Sequence, residues 1–413
     1  MKVPKLRFPE FRDAGEWEEK QIGDYFKEVS RILEKPSKTY TGLGIRSHGK
    51  GTFLKLEEDP VKNMMDNLFK VEKNDLIVNI TFAWEGAIAI ATECDDGALV
   101  SHRFPTYVSD NSDTVINFFR YITTTNKFFY KLFLISPGGA GRNRVMNKKD
   151  FLKIKVLTPR KSEQQKIADC LSSLDELIAA HNQKLAALKL HKKGLMQQLF
   201  PAEGETVPRL RFPEFRDAGE WEERSLGKIC DVRDGTHDSP QYYPCGKPLI
   251  TSKNLLSNGL IDFNNVNFIS EEDFQKIEKR SAVAQGDILL GMIGTIGNPV
   301  IARSGGFAIK NVALMKQQKE LLNRYLLQFL SSQYIESKFR ILNTGNSQKF
   351  ISLGQIRALE IIIPSIPEQE KIADCLSSLD DLIAAQSQKI EAFKTHKKGL
   401  MQQLFPAADE AQG

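Results

Sequence analysis

At 413 residues the chain is too long for one ordinary core, and its length points to two or three domains. Apolar and charged residues occur in the usual shares, and a net charge of +5 permits nucleic-acid binding without demonstrating it. No apolar run is long enough to span a bilayer and the N-terminus lacks a signal-peptide stretch, so no membrane contact and a cytoplasmic location are expected.

In chain order, the first feature is the segment Pro4–Glu19, which returns almost letter for letter as Pro208–Glu223. With two prolines and three aromatics but no helical or strand period, it reads as an extended clip. Its Phe8, Phe11 and Trp17, and likewise Phe212, Phe215 and Trp221, would pack onto a helix end or module base; stacking on bases is the alternative. Strands follow at Asp75–Phe82 and Ala87–Ala91, then amphipathic helix over Val115–Leu134, a glycine-bearing polar loop and a closing strand at Phe151–Leu157. After the second clip the same plan recurs: strands at Asp287–Ile293 and Pro299–Ala302, helix over Lys319–Leu342, a polar loop, and a strand at Leu359–Ile363.

Each module leads into a second repeated block, Glu163–Ala202 and Glu368–Ala407. Apolar positions step by four and three through Ile167, Leu171, Leu174, Ile178, His181, Leu185, Leu188, Lys192, Leu195 and Leu199. The second copy gives Ile372, Leu376, Leu379, Ile383, Gln386, Ile390, Phe393, Lys397, Leu400 and Leu404. A sustained 3.5-residue period is coiled-coil behaviour. Ser162 with Gln165 and Ser365 with Glu368 have capping-box spacing, and Pro201 and Pro406 stop the helices. Such a helix is a rod of roughly 50 Å. Its natural partner is the other copy, running antiparallel, with His181 opposite Lys397 and Lys192 opposite Gln386 as polar layers. Asp substituted at Leu171 or Leu376 should then loosen the seam while sparing each module.

The frame is therefore duplicated while the modules between differ. Module loops supply hydrogen-bond donors: Arg46, His48 and Lys50; Arg142, Asn143 and Arg144; Thr236 and His237; Lys253 and Asn254; Gln348 and Lys349. Such side chains reach phosphate oxygens and base edges, and the nearby glycines allow close backbone approach. Catalytic signals are absent. Gly44–Gly51 nearly spells a phosphate-binding loop, but Ser or Thr is missing where magnesium would sit and no apolar strand is read before it. Gly291–Gly297 lacks dinucleotide spacing. The pairs Asp95–Asp96 and Asp380–Asp381 read as turn and helix-surface acids. The five cysteines, Cys94, Cys170, Cys230, Cys245 and Cys375, show no CxxC spacing, so free thiols and no metal site are expected.

The two clips, the modules closed by a strand, proline and Glu-Gln, and the helices ending GLMQQLFP together resemble the specificity subunit of type I restriction–modification systems. Asp234–Pro240 with Pro248–Asn254 is similar to the opening of one target-recognition-domain type in that family; the first module lacks it. The resemblance implies two α/β target recognition domains separated by an antiparallel coiled coil with a pseudo-twofold internal repeat. The first domain and its clip would span 1–161 and its helix 162–201; the second clip and domain would span 202–364 and their helix 365–406.

It further implies a non-catalytic reader of double-stranded DNA, each domain taking one half of an asymmetric bipartite site. Two methyltransferase subunits would dock on it, bringing S-adenosylmethionine that this chain does not itself bind, and restriction motor-nuclease subunits would join them. Arg46, Lys50, Arg142, Arg144, Lys253 and Lys349 would then contact phosphate or guanine, Asn143, Asn254 and Gln348 adenine, and His48, Thr236 and His237 either. The competing reading is a duplicated coiled-coil adaptor whose modules bind proteins.

Overall fold

The computed structural model describes residues 2–109, 112–139, 144–342 and 350–406. Two compact units emerge, Met1–His181 with Ile390–Gly413, and Asn182–Lys389. The two long helices are Lys161–Leu199 and Ile366–Leu404, each of 39 residues. Each unit therefore contains the start of one long helix and the end of the other.

In the first unit a four-stranded antiparallel sheet runs Lys27–Val29, Thr106–Val108, Leu76–Val78, Ile88–Ile90. A five-stranded sheet runs Ile32–Glu34, Asn67–Lys70, Leu99–Val100, Tyr40–Ile45, Thr52–Glu58, and its Tyr40–Ile45 and Leu99–Val100 pair is parallel. The second unit repeats the plan. Its four-stranded sheet runs Val232–Asp234, Val312–Met315, Ile288–Gly291, Gly297–Ile301. Its smaller sheet runs Asn267–Ile269, Lys247–Thr251, Ala308–Lys310, again with one parallel pair, Lys247–Thr251 with Ala308–Lys310. In both, the strand after the clip pairs with the strand before the long helix: Glu18–Gln21 with Lys155–Thr158, and Glu222–Ser225 with Glu360–Ile363.

Several elements are shorter than their sequence patterns, for local reasons. The strand expected over Asp75–Phe82 ends at Val78, because the Asn79 side chain accepts from the Thr81 N–H and turns the chain. The closing strand begins only at Lys155: Asn147 caps a short helix, Lys148–Leu152, that takes up the expected strand's first residues. Helix over Val115–Leu134 splits into Ile116–Ile122 and Asn126–Leu134, where the hydroxyls of Thr123, Thr124 and Thr125 bond back to carbonyls of the preceding turn. Lys319–Leu342 likewise resolves into Asn323–Leu330 and Gln333–Leu342.

The clips pack as expected on the helix ends. Trp17 is 1% exposed and Trp221 3%. Trp17 meets Phe118 and Phe405 edge-on at 6.0 and 6.2 Å, and Trp221 lies against Tyr325 at 6.4 Å. Arg7 forms a two-pronged ion pair with Glu163 at 2.7 Å, and Arg211 with Glu368 at 2.8 Å. The expected capping boxes are displaced: Glu368 gives its carboxylate to Arg211, Gln165 donates to Asp169 at 2.7 Å, and Ser162 lies inside its helix, which begins at Lys161. The following residues, Gln164 and Gln369, are buried. Each donates back to a proline carbonyl (Pro159 or Pro364) and accepts the N–H of Val115 or Leu322, locking the start of helix Ile116–Ile122 or Asn323–Leu330 to the long one.

Within each unit the long helices run antiparallel, and the seam residues are those of the four-three pattern. Through the middle of the first helix Leu174, Ile178, His181, Leu185, Leu188, Lys192 and Leu195 are half-buried while most of their neighbours are exposed. The register differs from the expected one. His181 stacks on Phe393 at 5.2 Å, Lys397 bonds to Asp175, and Lys192 reaches both oxygens of Asp380 at 2.6 and 2.7 Å. An ammonium held in a half-buried seam is better satisfied by a carboxylate than by a neutral polar layer. Asp380 is thus an ion-pair partner rather than a surface acid. Each carboxylate also holds its module, Asp175 through the Tyr121 hydroxyl at 2.9 Å and Asp380 through the Gln328 amide at 2.8 Å. Leu171 and Leu376 are fully buried in the main core of their unit, so they are not seam residues alone.

Candidate nucleic-acid interface

In the second unit two loops meet at the end of strand Ala308–Lys310. Gly235 lies so close to that strand that a Cβ there would stand 2.2 Å from the Ile309 carbonyl oxygen, so only glycine fits. This lets Thr236 donate its N–H to Ile309 at 3.0 Å while its carbonyl accepts from Asn311 at 3.2 Å. The Thr236 hydroxyl accepts the Asp238 N–H at 3.1 Å, and Lys310 Nζ donates to Ser239 Oγ at 2.6 Å. His237 stands between Asp234 Oδ2 at 2.8 Å and Asn311 Oδ1 at 2.9 Å. These two bonds, that to Asn311 foremost, raise its pKa above the usual value against partial burial and the nearby Arg280.

The second loop, Thr251–Asn254, is pinned by the Ser252 hydroxyl, which donates to the Asn311 carbonyl at 3.0 Å and accepts from Met292 N at 3.2 Å. Lys253 projects from it, exposed. Asn254 does not. It is 5% exposed, its Oδ1 accepts from Thr251 N and Oγ1, and its Nδ2 donates to the Asp262 and Asn265 carbonyls. With all four hydrogen-bonding positions used inside the fold, it is a structural clasp and has nothing to offer adenine. Gln348 and Lys349 lie outside the described residues, which resume at Phe350. That residue is 40% exposed and bridges Ile293, beside the Ser252 site.

The first unit builds its cluster on a hairpin. Gly44 leaves room for the Phe53 ring, whose Cζ would lie 2.3 Å from a Cβ, and Arg46 places its guanidinium 4.9 Å over that ring while donating to the Thr52 carbonyl. His48, at φ 62°, donates its N–H to Glu85 O at 2.7 Å, and Ser47 Oγ donates to the Glu85 carboxylate at 2.8 Å. The tip is thereby strapped to the turn Ala83–Glu85, leaving the side chains of His48 and Lys50 exposed. Arg144 reaches the same turn from the other side, 5.9 Å over Trp84 and 4.2 Å over Phe133. Arg46, His48, Lys50 and Arg144 thus share one surface; Arg142 and Asn143 lie outside the described residues.

A strand, Tyr40–Ile45, does lead into Gly44–Gly51, contrary to the expectation. It continues as a hairpin into Thr52–Glu58, whereas a phosphate-binding loop would open a helix. Gly291–Gly297 likewise joins two strands. Among the described residues no group of three His, Cys, Asp or Glu is placed to hold a metal, and no helix is long and apolar enough to cross a membrane. Sequence reading missed Lys310, Asn311 and Trp84. The only signal for the first two was the Lys-Asn pair closing an apolar strand; Trp84 carried none.

Comparison with known proteins agrees with this layout. The model for the type I restriction modification DNA specificity domain matches twice, over residues 15–190 and 218–394. The type I restriction enzyme MjaVIII specificity subunit of Methanocaldococcus jannaschii is 25% identical, with 97% of this chain and 93% of the relative covered. The putative MjaX specificity subunit of the same organism is 26% identical over 63% of this chain and 60% of its own length. The fold is similar to that of the crystallised type I restriction–modification S subunit from M. genitalium, at a TM-score of 0.62 and 16% identity over 98% of this chain and all of that one. Two family domains covering most of the sequence, on a frame that is itself duplicated, establish that the chain belongs to the type I restriction modification DNA specificity family.

Proposed function

We propose that this specificity subunit reads an asymmetric, bipartite site in double-stranded DNA, one half with each unit, and delivers partner subunits to it. The observation that carries this is the pairing of like and unlike: two modules share a strand plan and helix clasps, yet present different polar loop clusters. One protein partner bound twice would call for the same surface twice; an asymmetric DNA site calls for two surfaces. Arg46, Lys50, Arg144 and Lys253 would supply cationic contacts, and Arg142, Asn143, Gln348 and Lys349 are further candidates by residue type. Two methyltransferase subunits carrying S-adenosylmethionine would modify adenine in the two strands, and motor-nuclease subunits would join them for cleavage. The chain itself would hold no cofactor and would work in the cytoplasm, beside the chromosome.

The test is single-molecule sequencing of genomic DNA from cells expressing this chain with its methyltransferase subunit, against cells with the methyltransferase alone. A new bipartite motif methylated on both strands is expected. A stable complex that yields no motif would favour the adaptor reading. In vitro, affinity should fall steeply with salt, as expected when lysine and arginine displace counterions from phosphates.

A further inference from the structure

The second unit contains a relay of four polar side chains that ends at its reading loop. Arg280, on helix Glu271–Ser281, donates to Asp234 Oδ1. The other oxygen of Asp234 stands 2.8 Å from His237 Nε2, and His237 Nδ1 stands 2.9 Å from Asn311 Oδ1. The Asp234 side chain is 7% exposed and that of His237 52%. A neutral imidazole carries one N–H and one lone pair. With the Asn311 amide oxygen toward the ring both nitrogens face acceptors and both must be protonated, whereas a neutral ring keeps the Asp234 bond only and meets Asn311 only if that amide turns. Asn311 in turn governs the surroundings: its N–H bonds to the Thr236 carbonyl and its own carbonyl accepts from Ser252. Whatever fixes Asn311 therefore fixes two loops of the cluster.

We propose that His237 is a cationic clamp, a positioning residue that in its doubly protonated form ties Asp234 to Asn311 and so sets the loop geometry with which the second unit reads its half-site. Arg280 and Asp234 act through it. The inference rests on DNA reading by the second unit. It also changes the role of His237, since a ring with both nitrogens committed to the protein offers no nitrogen to a base.

The charged groups around the ring are Asp234 from its strand, Arg280 from its helix, Lys310 from the strand below and Asp238 from the same loop; Lys310 is held by Ser239. The hydrogen bonds to Asn311 and Asp234 raise the histidine's pKa, and Arg280 opposes them. Because the folded value lies above the unfolded one, the clamp's contribution is complete below the ordinary histidine value of about 6.5 and is lost as pH rises through the higher folded value.

Two measurements on the full chain test this. The first is an NMR titration of 15N-histidine-labelled protein, with the His237 resonances identified by their absence in His237→Gln. Both nitrogens should be protonated at pH 6, with a midpoint above the ordinary value that falls in Asp234→Asn. A neutral ring at pH 6 would overturn the clamp whatever the DNA result.

The second compares affinity of the methyltransferase complex for its own site with affinity for duplexes in which one half-site is scrambled, from pH 6 to 8.5. Discrimination at the second half-site should fall about tenfold as pH rises, the loss of one charge-assisted hydrogen bond. His237→Gln should flatten the second profile and leave the first as it is in the wild-type complex. A pH-independent second half-site in the wild-type complex sinks the clamp. Failure to prefer any site at any pH sinks the reading of DNA instead, and the titration still decides the protonation state.

Discussion

Single residues show where charge and burial decide behaviour. Burial pushes the Cys230 thiol up to about 12, helped by the adjacent Asp231 carboxylate, while Cys94 and Cys245 are exposed. Because the thiolate is the nucleophile, iodoacetamide at pH 8 should modify Cys94 and Cys245 first and leave Cys230 untouched in native protein. Peptide mass spectrometry reads this directly; early labelling of Cys230 would mean that the core around Leu226 and Met315 opens readily. The Arg7–Glu163 pair, with side chains 8% and 2% exposed, is the other sensitive point. Removing one member strands a buried charge, so Glu163→Ala should cost about 3–5 kcal/mol in urea denaturation, and Arg7→Ala/Glu163→Ala together less than the sum of the singles. Glu163 and Glu368 were visible in the sequence at the starts of the repeated blocks, but their arginine partners were not. A partner 156 residues away is joined by tertiary packing and leaves no local period. The site followed the same rule. Residue types in the loops picked out Arg46 and Lys253, which stand exposed, whereas Asn254 has the same chemistry and faces inward, a difference set by the Asp262 and Asn265 carbonyls.

The elements were legible in proportion to their length. Ten successive seam positions fixed both long helices and their pairing, whereas their register depended on Asp175 and Asp380, which lie beside the seam. Short strands were located but not bounded, since a single Asn79 or Asn147 side chain could end or replace them. The two equivalent lysine–aspartate pairs make a symmetric prediction. Lys192→Ala and Lys397→Ala should each cost about 1 kcal/mol or less, with the loss shrinking at high salt, because the aspartates are 44% exposed. Leu171→Ala and Leu376→Ala should cost far more, about 2–5 kcal/mol each, as expected for deleting fully buried methyl groups. Denaturant midpoints of the four variants rank these effects. If the lysine variants proved as damaging as the leucines, the ion pairs rather than the apolar seam would be holding the helices.

At the scale of the whole molecule, the first unit is built from both ends of the described chain. Leu404 and Phe405 are 2% and 6% exposed, in the same core as Trp17, Phe118 and Leu171, and the clip's Leu6 N–H bonds to the Gln403 carbonyl at 3.0 Å. Burial of two such side chains is worth roughly 3–6 kcal/mol, a large part of the 5–15 kcal/mol that holds an ordinary domain folded. The second unit takes the matching pieces, Leu199 and Phe200, from the first helix, and the described residues of its main core all precede 390. A chain ending at Lys389 should therefore lose its first unit selectively. Amide hydrogen exchange should show protection collapsing over 17–26 and 115–132 while strands Ile288–Gly291 and Val312–Met315 stay protected. Adding a peptide of residues 390–406 should restore the lost protection, since it supplies the missing face without altering the rest. Equal loss in both units would show that they fold as one cooperative body, and no loss in either would mean that the helix end contributes little to the core it fills.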